Sequence, residues 1–177
     1  DFKIDTIRDG LNKYLYPQPI AILKAYKMKN FFHARFSAKQ RYYLYKIVNR
    51  RSYLTLEKNK VWILHKQLDF SLMNQAAKYF LGKHNLNAFR SINCQSKSSV
   101  KTIDYINVSK KSDRIMIGVK AKSFLHSQVR IMVGTLVSVG KGQILPGQLK
   151  LIIKNQNRKD AGPTAPPEGL YLKSVKY

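Results

Sequence analysis

A chain of 177 residues, 44% hydrophobic and 11% aromatic, can bury the core of one domain or of two small lobes, which excludes a disordered tail. Its 33 Lys and Arg face nine Asp and Glu, a formal charge of +24, so the folded protein repels itself unless an anion lies against it; nucleic acid is the first candidate and an anionic membrane surface the second. The longest apolar run, Ile131 to Val139, is far short of the roughly 20 residues that span a bilayer, and the single cysteine, Cys94, excludes an internal disulfide and fits a reducing cytoplasm.

In chain order, Asp5 is placed to cap a short helix with an apolar stripe of Ile7, Leu11, Tyr14 and Leu15, and Pro17 and Pro19 end it. Ile20 to Lys27 reads as a strand, and Phe31 to Lys39 as an aromatic and basic connector. Gln40 to Asn49 alternates as a strand, with Tyr43, Tyr45 and Ile47 on one face and Tyr42, Leu44 and Val48 on the other. Val61 to Leu64 is a short strand. Asp69 then caps a helix whose inner face is Leu72, Met73, Ala76, Ala77 and Phe80, and Gly82 stops it. Thr102 to Ser109 and Ile115 to Ala121 alternate with period two across a polar turn and form a hairpin. A helix runs from about Ser127 to Val139 with Gly140 as its stop, Pro146 opens another, three prolines between Pro163 and Pro167 mark a loop, and Leu170 to Tyr177 is a final strand. The expected fold is α+β: an antiparallel sheet of hairpins with helices packed on one face.

Two groups of residues invite chemistry. Arg130 is the only charge in an otherwise apolar or small helix, and a guanidinium held in apolar surroundings needs a carboxylate or a phosphate. A helix-edge arginine that reaches water is the plainer reading. Between Phe31 and Tyr43, His33, Arg35, Lys39 and Arg41 interleave with Phe32, Phe36 and Tyr42, the mixture that holds phosphates and stacks on unpaired bases. Its plainer reading is a core edge with a solvated face. His33, His65, His84 and His126 lack metal-ligand spacing, and there is no Gly-rich phosphate loop. No metal or organic cofactor is expected.

Five blocks in order resemble the tRNA pseudouridine synthase A family: Phe32-His33-Ala34-Arg35 with Arg41-Tyr42-Tyr43-Leu44-Tyr45; Phe89-Arg90 with Cys94-Gln95-Ser96; Phe124 through Gly134; Ala161-Gly162-Pro163-Thr164-Ala165-Pro166; and Gly169-Leu170-Tyr171-Leu172. The resemblance implies a pseudouridine-synthase-like fold and an enzyme, an isomerase that converts uridines 38, 39 and 40 of the tRNA anticodon stem-loop to pseudouridine. It also implies a cytoplasmic homodimer without cofactor, acting on a nucleotide flipped out of its stack. It makes Tyr43 the catalytic tyrosine that lies against the flipped base, and Arg130 the partner of a nucleophilic Asp. His33, Arg35, Lys39, Arg41 and Arg90 become RNA contacts. The family's Asp lies in an Arg-Thr-Asp-Ala-Gly segment that these residues do not contain. Arg158-Lys159-Asp160-Ala161-Gly162 is similar, but it falls in a different block and runs into Pro163, so Asp160 is rejected as nucleophile. On this reading residues 1–30 are a remnant of the N-terminal lobe and connector. Residues 31–177 are the C-terminal catalytic and RNA-binding domain, expected to be inactive without the upstream Asp. The alternative is a non-catalytic RNA-binding or ribosome-associated domain, with equal charge but no demand for Arg130 or Tyr43.

Overall fold

The computed structural model describes residues 3–177, in two compact units that divide after Ser37. In the first unit, helix α1 (Ile4–Leu15) forms as expected, but Asp5 is not its cap. Lys3 holds that position without a side-chain bond, and Asp5 sits in the first turn, where it favours the helix dipole and pairs with Arg8 at 2.9 Å. No residue of α1 is buried. The strand expected over 20–27 does not form: no ladder partner occurs for it among the described residues. The Asn12 amide grips it instead, donating to the Ile22 carbonyl at 3.0 Å and accepting from the Ile22 N–H at 2.7 Å.

The second unit is built on strand β1 (Gln40–Asn49). Along one edge it pairs antiparallel with β5 (Arg114–Ala121), which pairs with β4 (Val100–Lys111), which pairs with β3 (Gly82–Asn85). Two strands use the rest of β1. The final strand β6 (Leu170–Lys176) runs antiparallel along Gln40 to Tyr45, with a register shift between Tyr42 and Tyr43. Strand β2 (Trp62–Leu64) pairs with Ile47 to Asn49. That last pairing is parallel, the one departure from an antiparallel sheet. Asn49 secures it: its side chain donates to the carbonyls of Leu64 and Lys66, both at 2.8 Å, and accepts from the Leu68 N–H. Strand β3 was not expected, because Gly-Lys-His-Asn carries no apolar alternation; pairing with Val100 to Ile103 makes it a strand.

Alternation decides what the sheet buries. Tyr45 and Ile47, Ile115, Ile117 and Val119, and Ile103 and Val108 point to one face and are all at most 2% exposed. The helices cover that face. Helix α2 (Phe70–Ala77, continued by a 3-10 turn through Phe80) starts at Asp69, whose carboxylate accepts the Leu72 N–H at 3.0 Å, as expected. Helix α3 (Gln128–Gly140) lies within a residue of its expected span and is buried on every side. Helix α4 (Gln148–Asn155) starts two residues after Pro146 and buries Leu149 and Ile152. No helix among the described residues is long and apolar enough to cross a membrane.

Candidate active site

Every residue of α3 is buried except Arg130. The guanidinium sits in the first turn, where the helix emerges from under the loop 161–169, and it is half-buried rather than fully sunk. Its Nε donates to the Ala165 carbonyl at 2.6 Å, and the Ala165 N–H donates back to the Arg130 carbonyl at 3.1 Å. The reciprocal pair aims the side chain. With Nε engaged, the end-on fork of Nη1 and Nη2 N–H groups is left for another acceptor. Among the described residues no carboxylate lies within ion-pair distance of Arg130.

The loop that carries Ala165 is itself held at four points. Gly162 N–H donates to Thr135 Oγ1 at 2.9 Å, while that hydroxyl donates to the Ile131 carbonyl at 2.8 Å. Arg158 reaches the carbonyls of Ala161 and Gly162, the latter at 2.9 Å. Tyr45, fully buried on β1, donates its hydroxyl to the Pro166 carbonyl at 2.6 Å. Finally, the loop lies directly on α3 because Gly134 has no side chain: a Cβ there would come within 1.7 Å of the Pro163 carbonyl oxygen. Burial pushes the Tyr45 hydroxyl well above the ordinary tyrosine range, Arg130 nearby pulls it back somewhat, and Glu168 adds to the rise. The proton therefore stays on Tyr45, which is what its donor role requires.

Tyr43 lies two residues before Tyr45 on the same face, where β6 shifts register, and it is half-buried against the core. Its ring meets Phe124 edge to face, centroids 5.3 Å apart at 85°. Phe124 lies on the segment that leads into α3. That segment is stitched to the loop after Arg90: the His126 N–H donates to the buried Cys94 Sγ at 3.3 Å, and the Ser91 N–H to the His126 carbonyl at 3.2 Å. Burial pushes the Cys94 thiol up, but the donors from His126 and Ser96 and the charges of Arg90 and Lys101 outweigh it and bring it down.

The expected RNA contacts are distributed unevenly. His33 and Arg35 belong to the first unit, and Lys39, Arg41 and Arg90 to the second. His33 Nδ1 accepts the N–H groups of Arg35 at 3.1 Å and Phe36 at 3.3 Å, which places its ring proton on Nε2. Arg35 lies over the Phe36 ring at 5.6 Å. The Lys39 side chain is exposed, while Arg41 donates to the Lys122 carbonyl. Arg90 braces its own loop, donating to the Cys94 carbonyl at 2.6 Å and to Ser99 Oγ at 3.2 Å. Asp160 is an exposed turn residue that accepts from Asn157 at 3.1 Å. No group of three His, Cys, Asp or Glu among the described residues is placed to hold a metal ion.

The sequence pointed to Tyr43 and Arg130 but missed the parts that hold them. Ala165 acts through a backbone carbonyl, which no side-chain pattern marks. Two signals were available: Gly134 in the middle of a helix, and the Gly162-Pro163 pair, each a place where backbones approach closely.

A family model described as tRNA pseudouridine synthase matches residues 76–177, which include Phe124, Arg130 and the loop 161–169. The chain is 47% identical over 173 residues to the tRNA pseudouridine synthase A of Parvibaculum lavamentivorans, covering 98% of this chain and 70% of that protein. It is 48% identical over 171 residues to the protein of the same name from Ehrlichia chaffeensis, covering 97% of this chain and 70% of that one. With its namesake from Ehrlichia ruminantium strain Gardel the match is 48% over all 177 residues and 72% of that protein.

Proposed function

The chain belongs to the tRNA pseudouridine synthase family, and on that footing we propose that it isomerises uridine to pseudouridine in the anticodon stem-loop of tRNA, at positions 38 to 40. The reaction breaks the bond from C1′ to N1 of the uracil and makes one from C1′ to C5. N1 gains a proton and C5 loses one. Nothing is oxidised or transferred to another molecule, so the chemistry calls for a nucleophile, a pocket for the detached base and a route for one proton.

Arg130 and Tyr43 supply two of these needs. The observation that carries the proposal is the Arg130 guanidinium held at Nε by Ala165, with no acid partner among the described residues. Its outer nitrogens present a two-donor fork that matches a carboxylate. In this reading the fork receives the nucleophilic Asp of the family's Arg-Thr-Asp-Ala-Gly segment and keeps it ionised and aimed. Tyr43, its ring fixed by Phe124, lies against the flipped uracil and limits how the base turns before it rejoins. His33, Arg35, Lys39 and Arg41 serve the phosphates, and Arg90 serves them by shaping its loop. The family resemblance further supports a cytoplasmic homodimer. A non-catalytic RNA-binding or ribosome-associated domain is not favoured, since relatives close to half identical carry the synthase name.

The test uses the chain joined to the Arg-Thr-Asp-Ala-Gly segment of its family and a tRNA transcript labelled with tritium at C5 of uridine. Tritium release is expected, and Arg130→Ala should reduce it by roughly 100-fold or more, because losing one member of a desolvated ion pair leaves the other unmatched. Tyr43→Ala should depress turnover far more than tRNA affinity. Full activity with Arg130→Ala, or tritium release by the 177-residue chain alone, would sink the ion-pair assignment.

A further inference from the structure

The face of the sheet opposite the helices has a composition of its own. Tyr42 on β1 and Tyr105 on β4 lie edge to face across β5, centroids 6.3 Å apart at 88°. Lys120 Nζ stands over both rings, 4.8 Å from the Tyr42 centroid and 5.0 Å from that of Tyr105. Lys173 on β6 reaches the Tyr42 ring from the other side, at 5.2 Å. Further along, Lys46 repeats the arrangement over Tyr171 at 4.1 Å. None of these lysines forms an ion pair among the described residues.

Gly118 makes the cluster possible. A Cβ on it would stand 2.8 Å from the Tyr42 hydroxyl oxygen and 3.4 Å from the Tyr105 ring. Without that atom both tyrosines lie down across the strand. The opposite side of β5 at the same level is Ile117 and Val119, fully buried. So the strand separates an aliphatic core from a flat aromatic and cationic surface.

We propose that this face of the sheet, opposite α2 and α3, is a second RNA contact, distinct from the face that carries Arg130 and Tyr43. Lys120 and Lys173 neutralise backbone phosphates, and the Tyr42–Tyr105 pair offers a ring to an unpaired or splayed base. The charge decides the choice of partner. On a chain of +24, a face that sets lysines over tyrosines without ion-paired acids is complementary to a polyanion and would repel the same face of a second copy. One acid borders the cluster, Asp104, which accepts from Gln40 at 3.1 Å. The proposal rests on the reading of tRNA as substrate.

The test is binding of a fluorescein-labelled, unmodified tRNA transcript to the chain at several salt concentrations. Lys120→Ala with Lys173→Ala should weaken binding about tenfold at 0.1 M salt. It should also flatten the slope of log affinity against log salt by roughly two contacts' worth, about 1.5 to 2. Tyr105→Ala should weaken binding where Tyr105→Phe does not, and Lys120→Arg with Lys173→Arg should restore it. Melting temperatures of all variants check the fold. If the unsubstituted chain binds and the double lysine variant matches it in affinity and slope, this surface is overturned while the substrate reading stands. If no form binds tRNA even at low salt, both fall. A change in sedimentation from dimer to monomer with tRNA affinity intact would assign the face to a second copy and overturn the proposal.

Discussion

At the scale of single residues, the proposed site depends on one arginine and on the atoms that aim it. Tyr45 is the most informative of these, because its hydroxyl is buried and donates to the Pro166 carbonyl at 2.6 Å. Tyr45→Phe should cost about 1 kcal/mol at pH 8, the usual worth of a buried hydrogen bond. The pH dependence carries a sign. The folded pKa lies above the unfolded value of about 10, so the stabilisation is complete below pH 10 and is lost as pH rises past it. Urea denaturation at pH 8 and pH 10.5 should therefore show the wild type falling faster than the Phe variant. An equal fall in both would mean that the hydroxyl ionises as freely as in the unfolded chain. Arg130 was legible in the sequence because a lone charge among Val, Ile and Met stands out. Its aiming partner was not, because a carbonyl oxygen has no letter in the sequence.

Among the elements, those set by local rules formed where the pattern placed them. The Asp69 cap is a direct case: one carboxylate oxygen, one N–H three residues on, and a helix that starts at the next residue. Asp69→Ala should cost about 1 kcal/mol of stability and Asp69→Asn much less, measured by chemical denaturation. A neutral Asp69→Ala would mean that packing of Met73 and Ala76 alone sets the helix start. Strand β1 and the β4–β5 hairpin were equally readable, because alternation over eight or more residues leaves one face to bury. Segments that depend on a distant partner were misread. Residues 20–27 have the composition of a strand but find an asparagine side chain where a ladder should be. Residues 82–85 have the composition of a turn and become a strand because β4 extends beside them. Propensity is a local quantity and pairing is not, so one error falls at an edge of the sheet and the other outside it.

For the whole molecule, charge is the dominant quantity, and it makes opposite predictions for the free and bound states. Among the described residues Arg8, Arg50 and Arg114 form four ion pairs, Arg8 with both Asp5 and Asp9, and all are open to solvent, where each is worth little. With 33 Lys and Arg against nine Asp and Glu, the free protein stores repulsion that salt relieves over a screening length of about 8–10 Å near 0.1 M. Raising sodium chloride from about 0.05 to 0.2 M should raise the melting temperature of the free chain; for a chain this size about 1 kcal/mol appears as about 2–4 °C. The same change should weaken tRNA binding by on the order of 10³ if six or more phosphates are contacted. Added tRNA should accordingly stabilise the chain strongly at low salt and hardly at all at high salt, as a ligand that binds only the folded form must. A melting temperature that falls with salt would show that attraction within the fold outweighs the excess of lysine and arginine. A surface of that kind would not need a polyanion to offset its charge.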